Sequence, residues 1–133
     1  MDNKQVFEKA LTKLNYNFKY DKDGDIRFEH EIGAISLEFE NGYFALTHTK
    51  FLHASSYSQQ IVLLNFFDEI NAEFKAVKFN FIKSYAFVSV EGFYGNESNF
   101  EFVLSRSLKS MGNALNKFYV VAKSTLDAFE NEK

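Results

Sequence analysis

The stretch Ile35-Ser36-Leu37-Glu38-Phe39-Glu40-Asn41-Gly42-Tyr43-Phe44-Ala45-Leu46-Thr47-His48 decides the architecture. Apolar residues alternate with a period of two on both sides of Asn41-Gly42. Both residues of that dipeptide accept the positive φ of a two-residue hairpin turn. Such a turn pairs Phe39 with Phe44, Leu37 with Leu46 and Ile35 with His48 on one face. Glu40 then meets Tyr43, and Ser36 meets Thr47, on the other. A slip of one residue would send the apolar set to the wrong face, so the agreement specifies the register.

Working upstream, Ile26, Phe28 and His30 alternate with Arg27, Glu29 and Glu31, behind a turn at Asp23-Gly24 and a short strand begun by Phe18 and Tyr20. Before these, Val6, Phe7, Ala10, Leu11 and Leu14 recur at helical spacing. Asp2 with Gln5 offers a capping box, and Asn15-Tyr16-Asn17 a stop, because Asn tolerates the left-handed conformation. Downstream, Ser56 with Gln59 opens a second helix whose stripe is Val62, Leu63, Phe66, Phe67, Ile70 and Phe74. Ile61 and Leu64 fall away from that stripe.

A second hairpin turns at Lys83-Ser84, pairing Val77 with Val90, Phe79 with Val88 and Phe81 with Ala86. Its opposite face carries Lys78, Asn80, Ile82, Tyr85, Phe87 and Glu91. Gly92 to Glu97 reads as a loop, and Ser98 with Glu101 as a third capping box. A long helix follows, with Phe100, Leu104, Leu108, Met111, Leu115, Phe118, Tyr119, Ala122, Leu126 and Phe129 along one stripe. Phe102 and Val120 lie on its far side. The expectation is one α+β domain over residues 1–133, an antiparallel sheet with helices in the order α-β-β-β-(β)-α-β-β-α.

Composition narrows the function. The 133 residues carry a formal charge of −3 with no basic block, which speaks against nucleic-acid binding. Cys is absent, which removes disulfides, thiolate catalysis and Cys-based zinc sites. The N-terminus has no apolar signal core and no run is long enough to span a bilayer, so a cytoplasmic protein without membrane contact is expected. The 17 Phe bring more apolar area than a chain of this size usually buries, which points to cover by a partner.

The chemical motifs are weak. Asp21-Lys22-Asp23-Gly24-Asp25 resembles the start of a calcium loop, but Ile26 and Ile32 stand where that loop needs Gly and Glu, and an acidic hairpin turn is the better reading. His48 falls among apolar neighbours, and His30 reaches the same face; a metal would need further ligands. No Gly-x-Ser-x-Gly elbow is present, and Gly92-Phe93-Tyr94-Gly95 is too sparse for a phosphate cradle. The pairs Glu29/Glu31 and Glu38/Glu40 read as a charged sheet face. We therefore expect no catalytic residue, no metal and no cofactor. Tyr43, Tyr85 and Phe87 could stack bases, but the carboxylates beside them repel phosphate.

The element order, the run Phe66-Phe67-Asp68-Glu69-Ile70-Asn71 closing a helix, Val77-Lys78-Phe79 opening a strand, and Leu115-Asn116-Lys117-Phe118-Tyr119 in the last helix resemble the YbjN family of bacterial proteins. Members are described as candidate sensory-transduction regulators. The resemblance implies a fold similar to type III secretion chaperones, small acidic proteins that commonly dimerise and bind another polypeptide. It carries no catalytic residues over. Two functions follow as expectations. The first is a non-enzymatic, homodimeric module binding a protein or peptide through Ile61, Leu64, Ile82, Tyr85, Phe87, Phe102 and Val120; a chaperone that binds an effector is its narrower form. The second is a small-molecule sensor or enzyme with a pocket near His30 and His48.

Overall fold

The computed structural model describes residues 3–40, 42–95 and 97–132, and the backbone alone at residues 3 and 97–99. Among the described residues nine elements follow one another: α1 (Asn3–Lys13), β1 (Phe18–Tyr20), β2 (Ile26–His30), β3 (Gly33–Glu40), β4 (Tyr43–His53), α2 (Tyr57–Glu73), β5 (Val77–Ile82), β6 (Tyr85–Phe93) and α3 (Glu97–Glu130). The strands form one antiparallel sheet in the order β1-β2-β3-β4-β6-β5. The α+β class and the element order agree with the sequence reading, and the fourth strand is present.

Both hairpins hold the expected registers. Phe39 faces Phe44, Leu37 faces Leu46 and Ile35 faces His48. Val77 faces Val90, Phe79 faces Val88 and Phe81 faces Ala86. Gly42 has φ +79°, as the tight turn requires, and Lys83 takes φ +59° in the other turn. Asn41 itself lies outside the described residues.

The helices cover one face of the sheet. Phe7 of α1 packs on Phe39 and Phe100, Phe67 of α2 on Phe79 and Phe81, and Phe118 of α3 on Phe67 and Phe79. The core therefore lies between the inner sheet face and a single layer of helices. α3 has 34 residues and runs about 51 Å. Its start meets α1 through the Lys13–Glu101 ion pair, and its end meets the start of α2, where Gln59 Nε2 donates to Glu132 at 2.8 Å.

Several details differ from the sequence reading. β4 runs to His53, and between His48↔Val88 and Leu52↔Ala86 its residues 49–51 oppose residue 87 alone. This bulge, with Lys50 at φ +53°, turns Phe51 inward beside Leu52, where its ring meets Phe79 and Phe118. β6 extends to Phe93 instead of ending before a loop at Gly92. Val62 and Tyr119 are exposed rather than core. α2 shares its inner side between β5 and α3, which leaves Leu63, Phe67 and Ile70 as its buried apolar residues and Val62 on the rim.

Of the three capping boxes, the Asp2 one lies outside the described residues, and so does the Ser98 side chain. α3 begins at Glu97, so Ser98 sits inside the first turn rather than at its cap. Ser56 does cap α2, accepting from Gln59 N. The reciprocal arm is displaced: Gln59 Oε1 accepts from Ser55 N and Ser55 Oγ, not from Ser56 N. Asn15 adopts φ +66° after α1, and Tyr16 N donates to Leu11 O, as a left-handed stop demands.

Candidate functional site

Among the described residues no helix covers the outer face of the sheet. The registers arrange its side chains in rows across β2, β3, β4, β6 and β5. At one end Glu40 faces Tyr43, which faces Phe93. Next come Glu38, Ala45 and Glu91. The middle row is Arg27, Ser36, Thr47, Ser89 and Lys78. At the far end His53 faces Tyr85, which faces Ile82, with Phe87 and Asn80 paired just before them. Ser36 and Ala45 are buried even here, beneath their longer neighbours. The middle of the face is thus a floor of small side chains between two groups of aromatic and aliphatic ones.

Local contacts fix both ends. The Tyr85 ring lies 4.7 Å from the His53 ring, and Lys50 Nζ sits 5.4 Å from its centroid. Tyr43 meets Phe93 edge to face at 5.6 Å. Ile82 is 56% exposed and Phe93 80%. Phe93 was missed in the sequence because Gly92 and Gly95 flank it as a loop. Continuing the β6 alternation through residues 85, 87, 89 and 91 places it on the outer face.

The face is acidic near Glu38. Burial, then repulsion from Asp25, Glu91 and Asp21, raises the Glu38 pKa above the ordinary carboxylate value. Burial, with Asp21 and Asp23, raises that of Asp25. Asp21 shifts the other way, chiefly through its hydrogen bond from Arg27. Its Oδ1 also accepts from Asp23 N and Asp25 N, so this carboxylate organises the hairpin turn. That use of Asp21, with Gly24 at φ +85°, is what the acidic-turn reading requires. Among the described residues no group of three or more His, Asp or Glu is placed to hold a metal.

The remaining sequence candidates lie elsewhere. Ile61 (45% exposed) and Leu64 (41%) are on the outside of α2. Phe102 and Val120 share one exposed side of α3 but are about 27 Å apart along it, with Arg106, Lys109 and Lys117 between. The seven residues therefore form three separate places: the outer sheet face, the back of α2 and the back of α3. Ile82, Tyr85 and Phe87 are brought together from two strands, and Ile61 and Leu64 are neighbours on one helix.

His30 and His48 also part. His30 lines a cleft of about 420 Å³ between the β2–β3 turn and α3, and His48 does not. His48 Nδ1 donates to Ala34 O at 3.0 Å, and its ring stacks on Phe51. It is a structural histidine. Burial lowers the His30 pKa, partly offset by Glu31.

The sequence matches no protein-family model and no curated protein. Among solved structures, that of YbjN from E. coli, a candidate transcription regulator, aligns with a TM-score of 0.68 over 94% of both chains, at 11% identity. The fold is YbjN-like. This agrees with the resemblance seen in the element order, and at that identity the agreement concerns the fold. Among the described residues no helix of this YbjN-like chain is long and apolar enough to cross a membrane.

Proposed function

We propose that this chain is a non-enzymatic binding protein that takes up a polypeptide on the uncovered face of its sheet. One observation carries the reading: an antiparallel face bare of helices holds Ile82, Tyr85 and Phe87 at one end and Tyr43 and Phe93 at the other. Single exposed apolar residues are ordinary, but two groups flanking a floor of small residues form a surface that a chain can lie across. Glu38, Glu40 and Glu91 on the same face favour a polypeptide over nucleic acid, whose phosphates they repel.

The sheet edges support contact through the face. Asn71 of α2 blocks the free edge of β5, its Oδ1 accepting from Phe79 N at 2.7 Å and its Nδ2 donating to Phe79 O at 3.1 Å. The other edge, β1, is three residues long. Strand addition at either edge is thereby disfavoured. Self-association belongs to a different surface, the exposed Ile61 and Leu64 of α2.

Parallel capture on wild type, an Ile82→Asp/Tyr85→Ala variant and Leu64→Asp tests the reading. A polypeptide held by the wild type and by Leu64→Asp, and released by the sheet-face variant, is the expected result. Equal retention by all three would sink it.

A further inference from the structure

We infer that the cleft at His30 is a binding site for a small zwitterion, an α-amino acid with an aliphatic side chain, separate from the sheet face. The cleft has the volume of a small-ligand site, about 420 Å³. Leu14, Ile32 and Leu108 give it apolar lining, and Lys109 and Glu31 set opposite charges on its walls. Neither of these two forms an ion pair among the described residues. A molecule carrying both a carboxylate and an ammonium matches such a pair of walls, with its aliphatic part on the apolar lining.

Two further features fit that ligand. His30 Nδ1 accepts from Ile32 N at 3.3 Å, which leaves the proton of the neutral ring on Nε2 as a donor for a carboxylate. Ser105, Lys109, Gly112 and Asn113 lie at i, i+4, i+7 and i+8 of α3, so one helical stripe brings three polar side chains and a glycine to the cleft.

The glycine is informative. In a helix interior it costs roughly 1 kcal/mol relative to alanine. A Cβ on Gly112 would meet Ile32 Cγ2 at 3.6 Å, an ordinary contact, so packing does not demand its absence. What the missing side chain leaves is room in the cleft.

The test follows the His30 ring resonances by NMR, assigned with His30→Gln, during titration with L-leucine, isocaproate and isoamylamine. The two analogues lack the ammonium and the carboxylate respectively. L-Leucine should shift the resonances saturably, with each analogue at least about tenfold weaker. Gly112→Met should abolish the response and Gly112→Ala retain it. Lys109→Met should remove the preference for L-leucine over isoamylamine. No response of the wild type at about 10 mM L-leucine, which bounds the affinity below the millimolar range, overturns the assignment. So does an equal response to all three compounds, or one that survives unchanged in Gly112→Met.

Discussion

At the scale of single residues, the most constrained position is Gly33, which opens β3. Its φ of +126° is one that L side chains rarely adopt, and an added Cβ would lie 2.6 Å from His48 Cε1. Gly33→Ala should therefore destabilise the fold by about 1–3 kcal/mol, read as a lower urea midpoint. In a His48→Ala background Gly33→Ala should cost less than it does in the wild type, since the clash is gone and only the backbone strain remains. Glu38 makes the opposite kind of prediction. Its folded pKa is raised, so the native state binds more protons than the unfolded one across the window above 4.5, and stability falls as pH rises through it. Glu38→Gln should slightly stabilise the protein at neutral pH, with no gain below the unfolded value. Thermal melts at several pH values check this.

At the scale of elements, β5 depends on a side chain from α2. The Asn71 amide presents to Phe79 the same donor and acceptor that a neighbouring strand would. Asn71→Leu should cost about 1–2 kcal/mol and open the edge to pairing, visible as concentration-dependent light scattering. Asn71→Asp keeps the acceptor for Phe79 N and loses the donor, so an intermediate loss is expected. The bulge in β4 acts at the same scale. By turning both Phe51 and Leu52 inward it joins the sheet to α3, while His53 returns to the outer face beside Tyr85.

For the whole molecule, the prediction concerns assembly. Ile61 and Leu64 stand on the outside of α2, and Ala72 on that helix is also exposed and allows close approach. A two-fold contact there would bury each residue against its copy, at roughly 1.5–3 kcal/mol for each side chain. Leu64→Asp should then weaken a dimer by about two orders of magnitude or more while leaving each protomer folded. Sedimentation decides: a wild type that stays monomeric at high micromolar concentration ends the idea. Leu64 is exposed within the protomer, so unfolding of the variant is not expected. The YbjN likeness belongs to this scale too. Two chains sharing 11% identity adopt one fold, so the fold belongs to the whole chain rather than to individual residues.

The sequence alone determined the element order, both hairpin registers and the stop at Asn15. These rest on short-range facts: a period of two or 3.6, and turn residues that accept positive φ. Ile82, Tyr85 and Phe87 could be placed on one side because alternation within a single hairpin is local. Tertiary structure decided what lies between distant segments. It separated His30 from His48, split the exposed apolar residues into three places, set Asn71 on the edge of β5, and brought Lys109 of α3 to the cleft beside Glu31. Each of these depends on how a helix docks on the sheet, which is fixed by the packing of the whole core and leaves no periodic trace in the chain.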